Sequence, residues 1–477
     1  MKSSSRYADL RSALIGSRVF YQQVVSIVLP IIIQNTVSNV VSLLDNVMVG
    51  RVGTLEMSAV AIANQLFFVF YLCIFGGLAG AGIFATQFAG AADEEGVRHC
   101  FRIKWLIAAV MLVLSFAVFI LIPDKLIGIY LAEGTSAQDA SSTLSFGMEY
   151  IRIMLLGFVP FAVTQIYAST LREMGETKLP MVASIAAILV NLVFNYLLIF
   201  GKFGFPKLGV GGAAIATVLS RYVEMGIILL YTHVRADHFS FIRGVYRSIY
   251  IPAKLLGDVC RRGLPLLVNE FFWSSGMAVL LQCYSVRGLD VVAACNITST
   301  VSNLFKVVFL SMGNAVAIMV GQALGANKIE KAKDTAWKLM ALSVACNIVM
   351  GIMLVVLSPV IPEIYNTSEH VREMAMQMLW VVAAVMPVYA IAHCCYFTLR
   401  SGGRTIITFI FDSGYTWGIC VPVAYMLANM TALPIVPLYL FVQALEIIKV
   451  IIGVALVKKG VWVRNIIDSA PAEEKAC

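Results

Sequence analysis

Charge is what this sequence has least of: Asp, Glu, Lys and Arg together make up 13% of its 477 residues, about half of their share in ordinary globular chains. So few charges could not cover a water-exposed fold of this length. With 60% hydrophobic residues and a mean hydropathy of +0.86, a soluble protein is excluded and lipid is the main solvent. Histidine is scarce as well, with five residues and no HExxH pair or spaced metal set. GxSxG elbows and phosphate-binding loops are not evident, so a membrane-embedded enzyme is the least favoured class. The ten cysteines form neither a CxxC pair nor a Cys/His cluster at zinc spacing, which argues against a redox motif and a structural metal. Most of them (Cys73, Cys283, Cys295, Cys346, Cys394, Cys395 and Cys420) sit inside apolar runs and read as small hydrophobes. A formal charge of +8 would suit nucleic acid. The basic residues, however, fall in short gaps between apolar runs, without a stripe or interleaved aromatics, and read as orientation signals.

What is there in abundance is apolar sequence in blocks long enough to cross a bilayer. Such runs start near Val24, Ala59, Trp105, Gly147, Pro180, Gly212, Leu264, Val291, Trp337, Met374, Thr405 and Pro434, and each approaches the roughly 20 residues that a transmembrane helix needs. The expected fold is an all-α integral membrane protein of twelve transmembrane helices. Lys and Arg concentrate in the loops on the side of the two termini, which places both termini in the cytosol of a plasma-membrane protein. Lys2, Arg6, Arg11 and Arg18 precede the first span with no cleavage site after a short apolar core, so the start of the chain reads as a retained cytosolic leader. The longest polar connection, with Arg235, Arg243, Arg247, Lys254, Arg261 and Arg262, divides the spans six and six. The expected domains are a leader (1–23), an N-lobe of six spans (24–231), a cytosolic inter-lobe loop (232–262), a C-lobe of six spans (263–457) and a cytosolic tail (458–477).

The halves repeat each other. Pro30 and Pro265, Gln87 and Gln322, and Gly90 and Gly325 all stand 235 residues apart, whereas Thr170-Leu171-Arg172 and Thr398-Leu399-Arg400 stand 228 apart. Six spans per repeat is an even number, so the two lobes run the same way through the membrane and are pseudo-symmetric about its normal. Duplicated bundles of this kind are typical of secondary transporters, with substrate sites at the repeat interface.

Several stretches then carry a family resemblance: Leu29-Pro30 followed by Leu44-Asp45-Asn46 and Val49-Gly50; Gln87-Phe88-Ala89-Gly90-Ala91; Thr170-Leu171-Arg172 through Gly175; Asn191 through Asn195-Tyr196-Leu197-Leu198-Ile199-Phe200-Gly201; Pro206 through Ala214; and Gly321-Gln322-Ala323-Leu324-Gly325-Ala326. Taken in order, they resemble the multidrug and toxic compound extrusion (MATE) transporters from about Ser17 to Asn465. The resemblance implies two six-helix lobes around a central cleft. It also implies secondary-active export of organic cations in exchange for protons or sodium by alternating access, with no cofactor beyond the coupling ion. The expected partners are small organic cations and membrane lipid, not nucleic acid, and the expected functional unit is a monomer. A flippase of lipid-linked sugars from the same superfamily is the alternative, but such proteins often have extra spans and a basic cavity, whereas this chain offers the acids Asp45, Glu270 and Asp412.

Charges within spans are costly, about 2.5–3.5 kcal/mol near a helix centre on insertion scales, and are functional candidates by default. Asp45 matches the family's first-helix acid, a proton site; capping the end of the first span is the plainer alternative. Asn191 and Asn195 share one face of the fifth span and are expected to join Asp45. Archaeal relatives have an acid where this chain has Asn195, which cannot titrate. Glu270 matches the family's seventh-span acid, and Trp273, three residues on, suits an organic cation beside a carboxylate. In span 10, where some relatives have a further acid, this chain has His393, aligned with Gln165 of the first half. Asp412, with Trp417 five residues on, is the expected partner of Glu270, and sodium at Glu270 and Asp412 is the one metal-ion expectation. Pro30 lacks an N–H and is a candidate bending point of the first span. Lys306, and the Glu446/Lys449 pair at i, i+3, are expected to be structural.

Overall fold

The computed structural model of the protein describes residues 14–130, 137–365 and 367–468. Lys2, Arg6 and Arg11 of the expected leader and the last nine residues of the expected tail lie outside the described residues. Every regular element within them is helical, as lipid demands, because a helix satisfies its own backbone hydrogen bonds. In chain order the helices are α1 (Arg18–Gly50), α2 (Thr54–Gly90), α3 (Glu94–Leu121), the short α4 (Pro123–Gly128), α5 (Ala137–Leu155), α6 (Phe158–Glu173), α7 (Lys178–Phe200), α8 (Gly209–Val234), α9 (Ala253–Ser285), α10 (Leu289–Gly325), α11 (Ile329–Leu357), α12 (Glu369–Ser401), α13 (Thr405–Met430) and α14 (Ile435–Lys458).

Eleven of these are long and apolar enough to cross a membrane, and α5 with α6 makes a twelfth span bent by 48°. The bend is local. Leu156 and Gly157 turn on short i−3 bonds to Ile153 and Met154, Pro160 follows in the first turn of α6, and Val218 of α8 packs 3.3 Å from where a Gly157 side chain would start. All twelve apolar runs of the sequence fall on these spans. The protein is an all-α, multi-pass membrane protein.

Two compact units emerge from the packing. Among the described residues, one comprises those up to Ile32, Thr86–Asp93 and those from Cys260 on; the other comprises those of Ile33–Ala85 and Glu94–Val259. The break after Val259 falls within the polar 232–262 connection, but α1 and α2 are each shared between units. The connection is not a free tether: Phe241 is fully buried, and Arg98 and Arg102 of α3 donate to the carbonyls of Ser240 (3.1 Å), Val245 (3.0 Å) and Tyr250 (3.2 Å).

In the first unit the repeat signature is a packing device. A Cβ on Gly90 would run into the backbone of Gln322, and one on Gly325 would run into the backbone of Gln87. The positions related by 235 residues therefore approach each other reciprocally, backbone against backbone. The Gln87 amide donates to the carbonyls of Ser401 (3.0 Å) and Arg464 (3.3 Å) and accepts from the Ile466 N–H (2.9 Å), which stitches the segment after α14 to the end of α2. In the second unit an aromatic stack built on Phe70 and Phe158, with centroids 4.1 Å apart, fills the core.

Candidate functional site

The polar side chains that are costly in lipid gather within each unit. In the second unit α1, α7 and α8 bring Asp45, Asn191, Asn195 and Thr217 together. Asn195 Nδ2 donates to Asp45 Oδ1 at 2.7 Å. With its amide nitrogen turned to the carboxylate, as the hydrogen-bond network requires, Asn191 donates to both Asp45 oxygens at 3.1 Å and accepts from Thr217 Oγ1 at 3.2 Å. Asn191 and Asn195 are both buried, and Asn195 Oδ1 has no hydrogen-bond partner. An orphaned buried acceptor costs about 1–3 kcal/mol, and an amide carries both a donor and an acceptor. This amide can therefore hold Asp45 as a carboxylate through its N–H and, once turned, accept from a protonated carboxyl through its oxygen. The arrangement can take up and release one proton without breaking apart. Thr217 is the member that sequence reasoning missed; its isolated hydroxyl in a Gly/Ala-rich helix carries no distinguishing pattern.

A further polar set, also missed, lies earlier along α1 and α7. Gln34 Nε2 donates to Ser184 Oγ at 2.7 Å, Ser184 Oγ donates to the buried Glu224, and Arg172 donates to Gln34 Oε1 at 3.1 Å. Arg172 thus caps this set. Starting the third span near Trp105 leaves Lys104 outside it, yet Lys104 is fully buried and pairs with Glu173 at 2.6 Å while donating to Ser169 and Thr170.

In the first unit the centre is Asp412. It lies in a π-helical stretch of α13, Ile410–Gly414, followed by a second at Thr416–Cys420; such widened turns are frequent at functional sites. Asp412 Oδ1 accepts from Lys449 Nζ of α14 at 2.9 Å, and Oδ2 accepts from Asn269 Nδ2 of α9 at 3.1 Å. Asn269 is buried, accepts from Ser413 Oγ at 2.7 Å and donates to Tyr396 at 3.3 Å. Lys449 is also 3.8 Å from Glu446, so the ion pair that the i, i+3 spacing expects does form, but Asp412 is the closer partner of Lys449. The reason is tertiary, since α13 lies beside α14 and its carboxylate reaches the ammonium first.

Glu270 follows Asn269 and lies within electrostatic range of Arg400 and Asp412. Trp273 is 39% exposed. Trp417 is the indole fixed to α9, donating Nε1 to the Phe272 carbonyl at 2.8 Å. His393 packs among rings, with Phe397, Phe309 and Tyr396 at centroid distances of 4.9, 5.3 and 6.3 Å. Lys306 lies over the Tyr389 ring at 5.8 Å. Pro30 is buried and α1 runs through it without interruption.

Comparison with known proteins bears on what such a duplicated bundle is. Residues 30–197 and 265–426 both match the family model MatE, and the two matches start at Pro30 and Pro265, 235 residues apart, the offset of the internal repeat. The chain belongs to the MATE family of transporters. Among curated MATE relatives it is 24% identical over 411 residues to the probable multidrug resistance protein NorM of Thermotoga maritima, covering 86% of each chain. It is 26% identical over 413 residues to the probable multidrug resistance protein YoeA of Bacillus subtilis, covering 85% of this chain and 86% of that one. Among solved structures, a MATE crystallised in complex with MaL6 superposes with a TM-score of 0.83 at 19% identity, over 94% of this chain and 97% of the other. A MOP-superfamily transporter from Pyrococcus furiosus superposes with a TM-score of 0.81 at 19% identity, over 94% and 97%. The fold is thus that of the MATE transporters.

Proposed function

We propose that this transporter is a multidrug exporter that expels organic cations across the plasma membrane in exchange for protons, by alternating access, with both termini in the cytosol. The observation that carries the reading is the Asp45 cluster: one carboxylate inside a membrane helix, held by the N–H groups of two amides, of which Asn195 keeps an unpartnered oxygen that a protonated carboxyl could use once the amide turns. Entry of a proton there changes the charge of a half-buried group by one unit, the kind of event that shifts a two-state equilibrium when the two states hold the group differently. The N-lobe so defined carries the coupling proton. The C-lobe, with Glu270, Trp273 and Asp412, recognises the cationic substrate; an exposed indole near a carboxylate offers a cation both charge and a π-face. His393, enclosed by rings, modulates the site without carrying the proton, and Pro30 lets α1 bend during the cycle. The names of the curated relatives support the drug-export part of this reading.

The test is efflux of a cationic dye from proteoliposomes under an imposed pH gradient and, separately, a sodium gradient. Efflux driven by the pH gradient alone, lost in Asp45→Asn, is the expected result. Efflux driven by neither gradient would overturn the reading.

A further inference from the structure

Every oxygen of Asp412 is already engaged. Oδ1 holds the Lys449 ammonium at 2.9 Å and Oδ2 holds Asn269 Nδ2 at 3.1 Å. The same ammonium is 3.8 Å from Glu446 and 5.5 Å from the centre of the Phe411 ring. The side chains of Lys449, Asp412 and Glu446 are 9%, 16% and 12% exposed. Two carboxylates and an aromatic face thus converge on one cation of the chain's own, inside the membrane. We propose that Lys449 is the resident cation of the C-terminal six-span half: its ammonium occupies the place between Asp412 and Glu446 that a sodium ion would otherwise take, which closes those two carboxylates to sodium.

Three physical points carry this. An ammonium held by its own helix competes at the effective concentration of a tethered group, on the order of millimolar even for flexible linkers, and α14 is no flexible linker. A second cation entering beside it would meet like charge at a few ångströms, where protein surroundings screen poorly. Leaving the ammonium in place also spares Asp412 from standing as an uncompensated buried charge, the arrangement that makes breaking one side of a buried pair so costly. The consequence for transport rests on the proposed export function. With Asp412 and Glu446 closed to sodium, Glu270 loses its expected partner for that ion, and a cationic substrate that reaches Asp412 must compete with Lys449 rather than with sodium.

The test is thermal unfolding of the purified full-length protein in sodium chloride against choline chloride at equal ionic strength. A site that binds sodium in the folded state raises Tm in proportion to the logarithm of sodium concentration. The wild type is expected to show no sodium-specific shift. Lys449→Ala, and Lys449→Gln should the alanine variant fail to fold, are expected to gain one, on the order of a degree or more at saturating sodium, which Asp412→Asn removes in the double variant. A sodium-specific shift in the wild type that Asp412→Asn abolishes would overturn the proposal, as would folded Lys449 variants with no shift. If neither lysine variant folds, the wild type and Asp412→Asn alone decide it, a wild type without a shift supporting the proposal. The readout is separate from transport: pH-driven efflux together with a wild-type sodium shift refutes the inference and leaves the exporter reading standing. Absence of all driven efflux does the reverse.

Discussion

At the scale of single residues, the membrane makes ionisable groups informative because each is expensive unless partnered. Asp45 has two amides and Asp412 an ammonium and an amide, so the two carboxylates sit in different chemistry despite lying in repeated halves. Asp45→Asn preserves shape and removes the charge. It is expected to reduce pH-driven efflux to the protein-free background while leaving the Kd for a cationic dye within about threefold, a change of less than 1 kcal/mol; paired efflux and equilibrium-binding measurements check this. Glu270→Gln is expected to act the other way, weakening cationic dyes at least about tenfold, or 1.4 kcal/mol, and leaving an uncharged analogue unaffected, as titration of both ligands would show. His393 meets rings at 4.9–6.3 Å, and His393→Gln is expected to retain more than about half of the pH-driven efflux rate of the wild type. Complete loss in a well-folded variant would move the proton site into α12.

At the scale of the element, the informative features are those that depart from regular helix. α1 and α9 carry Pro30 and Pro265 in their interiors, where a proline removes one helical hydrogen bond and costs about 3 kcal/mol against alanine. Pro30→Ala is therefore expected to hold or raise Tm while slowing turnover, because the helix gains a backbone bond and loses its hinge; unfolding and efflux of the same preparation test the split. α13 departs differently. Its two π-helical stretches widen the turns around Asp412, and they stand where Ser413 and Trp417 bond α9 and Tyr415 bonds the Leu445 carbonyl of α14 at 2.6 Å. Side-chain bonds on both sides hold the altered turn in place.

At the scale of the whole molecule, the excess of Lys and Arg in loops on one side sets orientation. Ser248 is an exposed residue of the 232–262 connection, between the Val245 and Tyr250 carbonyls that Arg102 of α3 holds. A cysteine at Ser248, in a cysteine-depleted background, is expected to resist an impermeant maleimide added to intact cells and to react after permeabilisation. Labelling from outside would reverse the orientation.

The sequence by itself was enough for the twelve spans, because lipid requires long apolar segments whose hydropathy does not depend on their neighbours. It was enough for the duplication, because Pro30/Pro265, Gln87/Gln322 and Gly90/Gly325 keep one offset, and for the prominent acids, since Asp45 and Glu270 stand out in apolar surroundings. The bend between α5 and α6 was not legible, because Leu156 and Gly157 are unremarkable until Val218 packs at Gly157. Neither were Thr217, Ser184, Glu224 and Lys104, whose meaning depends on which helix lies beside them. Local spacing pairs Lys449 with Glu446, and that pair forms at 3.8 Å, but its closer partner is Asp412 at 2.9 Å. Only the tertiary structure could add Asp412, because the distance between residues 37 apart in sequence is set by how α13 packs on α14 and not by the pattern of either helix.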